Sequence, residues 1–240
     1  IAAGVECYAI HREALDRISA ATGVSQAMIL GIIGVESYFG RTTGNYRVVD
    51  ALVTLGFDYP PRADFFRSEL NNAFLLAREE QLNLLELKGS YAGAMGPPQF
   101  IASSYRNFAV DGDGDGRRDL LNNWADIMAS VANYFVVHKW QTGQQVAARA
   151  TISKDAGKLP LNVELLPEST VGALSAAGVV FPTELPAAAP ASLWQLQGKD
   201  DTEYWVGFEN LYVITRYNRS IMYALAAWQL GEAIMGKVAE

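Results

Sequence analysis

The stretch Gly31-Ile32-Ile33-Gly34-Val35-Glu36-Ser37-Tyr38-Phe39-Gly40 decides how this chain is read, because one carboxylate interrupts an otherwise apolar run. Ser25 stands where an N-cap belongs, and Gln26-Ala27-Met28-Ile29-Leu30 leads into the run. The pattern therefore predicts a helix that starts after Ser25 and carries Glu36. Upstream, Ala14, Leu15 and Ile18 give Glu13–Ala20 helical spacing before the breaker Gly23. Downstream, a helix is expected over 63–87, just after Pro60-Pro61, with Phe65, Phe66, Leu70, Phe74, Leu75 and Leu76 on its apolar side. A glycine-rich segment (89–96) and an acidic glycine loop (111–116) follow, and 124–140 again reads as helix.

Beyond Val146 the composition shifts toward proline and short β-prone pieces. Ala191–Leu196 and Glu203–Phe208 read as two strands of a hairpin joined by Gly198-Lys199-Asp200-Asp201-Thr202. Ser220–Val238 is helical, with Ser220 as its cap and Ile221, Leu225, Trp228 and Ile234 on one face. The expected fold class is α+β, mainly α. The helical part spans 1–146 with an EF-hand-like loop at 111–126, a small β-rich domain spans 147–212, and 213–240 forms a C-terminal helix that packs back on the helical lobe.

With 240 residues, half of them hydrophobic, the chain is long enough to bury a sizeable core. Its net charge of −7 and its single adjacent basic pair, Arg117-Arg118, argue against nucleic acid as a partner. One cysteine, Cys7, excludes an internal disulfide and leaves both cytosol and periplasm open. The longest apolar run, Met28–Val35, falls far short of the roughly 20 residues that span a bilayer. The chain starts at Ile1 without a signal peptide, which suggests a processed or trimmed protein.

A carboxyl group among apolar neighbours loses hydration, so its charged form is disfavoured and its pKa rises. Cleavage of a glycosidic bond needs such a group, still protonated near neutral pH. The plain alternative is that Glu36 marks the solvent edge of an amphipathic helix. An ordinary glycosidase needs a second facing carboxylate, and Asp50, Asp58 and Asp64 all lack the apolar setting of Glu36. The sequence thus suits a mechanism with one carboxylate.

Asp111-Gly112-Asp113-Gly114-Asp115-Gly116 matches the front half of a calcium loop, with alternating carboxylates turning toward one centre. The backbone carbonyl of Arg117 is the next expected ligand. The twelfth position is Asn122 rather than a bidentate Glu, so the last ligand is expected from Asp126, with Asn122 or Asp119 as alternatives. Calcium is expected here with modest affinity and a structural role, and no cofactor is expected for catalysis.

Taken in order, several motifs resemble the B family of lytic murein transglycosylases in its soluble form. They are Gly34–Gly40, Asp50–Leu55, Tyr59-Pro60-Pro61-Arg62, Leu87–Gly96 with Gln99-Phe100, and Ser103-Ser104-Tyr105. Asp111–Asp115, Ser130–Phe135 and Tyr212–Asn218 complete the series, so the resemblance covers nearly the whole chain. It implies a lysozyme-like helical catalytic core with a helical lobe, a small β domain and a calcium loop. It also implies non-hydrolytic cleavage of the MurNAc–GlcNAc β-1,4 bond of peptidoglycan glycan strands in the periplasm, with Glu36 as acid and then base. Ser90, Met95 and Gln99 are implied to line the cleft, and Arg62 to meet the peptide or lactyl carboxylate. Tyr134, Tyr217 and Tyr223 would pack on sugar faces, and Asn218 would bond near the reacting glutamate. Other cell-wall enzymes are possible further partners. The chain departs from the family at Pro97-Pro98, at Ile101-Ala102 and at Pro61, which puts fine substrate preference in question rather than the reaction class.

Two rivals stand beside this reading: a hydrolytic muramidase on the same scaffold, and a non-catalytic peptidoglycan-binding protein. A serine hydrolase is disfavoured by the absence of a G-x-S-x-G elbow, and zinc chemistry by the poor supply of ligands: His11, His138 and Cys7.

Overall fold

A computed structural model describes all 240 residues of the chain, in two units: 1–137 with 229–240, and 138–228. In the first unit α2 (Gln26–Ser37) is the central element, with every residue from Ala27 to Ile33 buried. A helix apolar on all sides has to lie inside, surrounded by other helices. Ser25 caps it, its hydroxyl accepting the N–H of Met28 at 3.2 Å. Around it run α1 (Ala2–Thr22), which ends at left-handed Gly23, and α6 (Trp124–Val137). The end of α9 (Ile221–Val238) approaches α2 so closely that a Cβ on Gly231 would lie 1.9 Å from the Ala27 carbonyl oxygen. Only glycine allows that crossing.

A two-residue ribbon joins β1 (Tyr46–Arg47) to β2 (Lys88–Gly89) in antiparallel register. Between them, α3 (Val48–Asp58) packs on α4 (Ala63–Glu79), and Arg67 of α4 donates to the Gly56 carbonyl at 2.8 Å. The short α5 (Ala102–Phe108) packs on α4 in turn. Its N-terminus is held by Glu69, which is 3% exposed and accepts the Ser103 N–H at 2.9 Å.

The helix expected over 63–87 stops at Glu79. Leu82 donates back to the Ala77 carbonyl, Gln81 takes a φ of 55°, and Asn83 accepts the Leu85 N–H. Leu84 and Leu87 mimic helical spacing but are buried from a turn. The helix expected over 124–140 ends at Val137, just before left-handed Lys139. Helix α3 lies where β-branched residues and Gly56 gave no helical signal, and the burial of Val48, Ala51 and Leu52 accounts for it.

In the second unit, β3 (Ala147–Ile152), β4 (Ser169–Thr170), β5 (Val179–Val180), β6 (Pro190–Gln197) and β7 (Thr202–Gly207) form one antiparallel sheet, ordered β4-β6-β7-β3-β5. The β6–β7 hairpin runs from Ser192↔Gly207 to Gln197↔Thr202. Ala148, Ala150, Leu174, Leu193, Val206 and Phe208 build its core, with α7 (Val171–Ala176) packed on the sheet. Buried Asn210 of α8 (Glu209–Ile214) donates to the Gln141 and Gln144 carbonyls and accepts the Gln141 N–H. Those bonds tie Gln141 and Gln144 to α8, and the division falls at 137/138 rather than 146/147. The second division falls inside α9, at 228/229 rather than 212/213. No single helix is long and apolar enough to cross a membrane.

Candidate active site

Glu36 is half-buried in the last turn of α2. The chain then leaves the helix through three successive left-handed residues: Tyr38 (φ 51°), Phe39 (φ 58°) and Gly40 (φ 77°). The first two carry a Cβ, and that conformation costs about 1–2 kcal/mol for each such residue. Packing and hydrogen bonds hold it. Phe39 is buried against Gly34 and Gly4, where an added Cβ would come within 2.8 and 2.9 Å of its ring. The Ser37 hydroxyl donates to the Ile33 carbonyl and accepts the Gly40 N–H at 2.9 Å. Backbone strain retained this way clusters at functional sites. Tyr38 is exposed, with the Arg41 guanidinium 5.0 Å from its ring centre.

The segment 89–100 forms a second wall. The Ser90 hydroxyl accepts the N–H groups of Ala94 at 3.0 Å and Ala92 at 3.3 Å, leaving its own hydrogen to donate. Gln99, left-handed at φ 51°, donates from Nε2 to the Gly96 carbonyl at 2.9 Å and to the Thr43 carbonyl at 3.1 Å. That second bond ties the wall to the segment that follows Glu36. Pro97 packs against Gly40, whose added Cβ would lie 3.3 Å from the proline ring. Met95, expected to line the cleft, has no exposed surface and its backbone pairs with Phe100. Its side chain lies buried beneath the wall.

The other expected residues are distributed more widely. Arg62 is exposed on the turn before α4, its guanidinium 4.2 Å from the centre of the Phe65 ring. Tyr134 of α6 is 8% exposed and meets Phe108 edge-on at 4.8 Å, so its ring belongs to an aromatic cluster. Tyr217, Asn218 and Tyr223 belong to the second unit, near the start of α9, where Ser220 caps the helix by accepting the Tyr223 N–H. Of the alternative carboxylates, Asp50 pairs with Arg47 at 2.6 Å and Asp64 pairs with Arg67.

In the acidic loop, Asp111, Asp113 and Asp115 each turn one oxygen inward, all within 4.8 Å of one another. Calcium–oxygen bonds of about 2.3–2.6 Å put ligands on opposite sides of an ion roughly 5 Å apart, so the cluster has the right size. Gly114 and Gly116, at φ 83° and 88°, make the turn. N–H bonds from Gly116 and its neighbours hold the Asp111 carboxyl below its ordinary pKa. Asp126 lies fully buried beneath the loop and accepts N–H bonds from Gly112 and Asp119, both at 2.7 Å, so it clasps the two ends. Burial raises its pKa. Arg117 follows the cluster, donating its N–H to Asp115 at 2.8 Å. Asp119 caps the next turn by accepting from Leu121 and Asn122.

Two supporting residues carried no assigned role in the sequence. Asn123 donates to Asp113 at 2.9 Å. The Tyr105 hydroxyl donates to the Arg118 carbonyl at 2.5 Å and accepts the Leu120 N–H at 2.8 Å, fixing the loop's exit. Tyr105 falls within a family motif, but no local spacing marks it as a clasp.

The family model that matches this chain is that of the transglycosylase SLT domain. Residues 1–232 match that family, and the chain belongs to it. It is 45% identical over 233 residues to membrane-bound lytic murein transglycosylase B of Escherichia coli K12, covering 96% of this chain and 63% of that protein. Its structure superposes on soluble lytic transglycosylase SltB1 of Pseudomonas aeruginosa with a TM-score of 0.94 and 47% identity, covering 100% of this chain and 80% of the other. For Escherichia coli Slt35 in complex with calcium the TM-score is 0.90 at 42% identity, over 99% and 75% of the chains. For Pseudomonas aeruginosa SltB3 in complex with NAG-anhNAM-pentapeptide it is 0.86 at 30%, over 97% and 62%.

Proposed function

We propose that this chain is a lytic transglycosylase that cleaves the β-1,4 bond between MurNAc and GlcNAc in peptidoglycan, with Glu36 as its one catalytic carboxyl group. The observation that carries this reading is the half-buried glutamate at the end of α2, leading into a strained turn, while Asp50 and Asp64 pair with arginines. In the first step the protonated Glu36 donates its proton to the glycosidic oxygen, and the C1–O4 bond breaks. The substrate's N-acetyl group stabilises the positive charge at C1. In the second step the Glu36 carboxylate takes the proton of the same sugar's C6 hydroxyl as O6 bonds to C1. The product carries a 1,6-anhydro ring, no water is consumed, and Glu36 ends protonated as it began.

Gln99, Ser90 and Arg62 are the first-unit groups proposed to hold the glycan and its peptide or lactyl carboxylate, Tyr134 to shape the cleft, and Tyr217, Asn218 and Tyr223 the second-unit groups. Arg62 suits an anion, since it is exposed and pairs with no carboxylate. Calcium is the proposed occupant of the acidic loop, held by Asp111, Asp113, Asp115, the Arg117 carbonyl and the remaining lone pairs of Asp126. When bound it supplies positive charge that lets these carboxylates sit together. The murein of the named relatives supports a periplasmic location.

The test is digestion of purified sacculi by wild type and Glu36→Gln. A general acid–base contribution of about 10²–10⁴ predicts near-complete loss of soluble products with the variant, its thermal unfolding unchanged. Equal release by both proteins would remove Glu36 from the chemistry.

A further inference from the structure

A cavity of about 400 Å³ opens in the first unit beside the turn that follows Glu36. Gly40 and Thr43 form one side of it, and Thr43 is the residue whose carbonyl accepts the Gln99 amide. Pro97 and Leu121 give it apolar wall, and Glu86 and Lys88 stand at it with opposite charge. Both side chains are exposed, and neither is paired with the other or with any other residue. Asn83, also in the lining, has its Oδ1 occupied by the Leu85 N–H, which leaves its NH₂ to donate. Lys88 is fixed in place by the β1–β2 ribbon, opposite Arg47.

An unpaired carboxylate and an unpaired ammonium on an apolar-walled cavity match a ligand with the inverse arrangement. Such a ligand carries an ammonium and a carboxylate on a short aliphatic chain. We propose that this cavity binds the zwitterionic part of the peptide stem of peptidoglycan, with Lys88 and Asn83 on its carboxylate and Glu86 on its ammonium. The proposal rests on the reading of the chain as a peptidoglycan-cleaving enzyme. Reach is sufficient: Gly40 is four peptide units from Glu36, at most about 15 Å, and a stem of four or five residues extends over roughly 14–17 Å. A stem attached to a sugar at Glu36 therefore spans to the cavity mouth.

The test compares cleavage of peptide-bearing strands with strands stripped of their stems. Wild type should show the lower KM on peptide-bearing strands. Lys88→Ala and Glu86→Ala should each raise that KM about tenfold relative to the KM on stripped strands, with kcat little changed. A KM ratio unaltered in both variants would overturn the proposal. A second measurement separates it from the activity itself: titration of Glu36→Gln with a synthetic pentapeptide stem. Saturable binding weakened about tenfold by Lys88→Ala supports the cavity even if no strand is cleaved, in which case the reading of Glu36 is at fault. Equal binding by both proteins, or none, sinks the cavity.

Discussion

At the residue scale, the geometry around Glu36 depends on small side chains that make room for large ones. A Cβ on Gly34 would lie 2.8 Å from both the Phe39 ring and Leu230. Gly34→Ala is therefore expected to destabilise the chain by about 1–3 kcal/mol, the usual cost of overpacking, and to lower activity by disturbing the turn. Gly236, also helical, has nothing within 4 Å of an added Cβ. Gly236→Ala should raise stability by about 0.5–1 kcal/mol, and urea titrations of the two variants check both signs. Cys7 tests burial in another way. Burial, helped by Glu6, pushes its thiol up to about 12 from an ordinary 9.0. Iodoacetamide at pH 8 should leave native Cys7 unmodified while labelling it readily in urea. The raised folded value makes the thiol's contribution to stability full below pH 9 and lost between about 9 and 12, and alkaline unfolding curves of wild type and Cys7→Ala should diverge in that window.

At the element scale, the acidic loop is organised by residues outside it. Tyr105→Phe would leave the Arg118 carbonyl and the Leu120 N–H without their partner, at an expected cost of about 1–3 kcal/mol, and should weaken calcium binding. Calorimetric titration of both proteins after chelator treatment reads the two effects, and identical affinities would separate Tyr105 from the loop. The sequence made the loop legible because alternating aspartates and glycines have few other uses, and it made α2 legible because Ser25 and an unbroken apolar run leave little choice. It did not show that Asp126 clasps the loop's two ends, since a carboxylate fourteen residues from its N–H partner gives no local signal. The overlong 63–87 helix failed for a related reason: Leu84 and Leu87 keep an i, i+3 spacing while buried from a turn. Met95 is buried, and a family motif locates a backbone without saying which side chains face solvent.

At the scale of the whole molecule, the two units divide at 137/138 and 228/229, where composition suggests 146/147 and 212/213, and Asn210 holds Gln141 and Gln144 across a long stretch of sequence. Long-range bonds of that kind leave no mark on composition. The central claim concerns what happens to water. Digestion of sacculi in ¹⁸O-labelled water, with products weighed by mass spectrometry, tests it directly. If Glu36 returns the proton to itself through the C6 hydroxyl, new ends are anhydro forms, lighter by one water than reducing ends, and carry no label. Labelled reducing ends would contradict the account, because they require a water activated opposite Glu36 and hence a hydrolase.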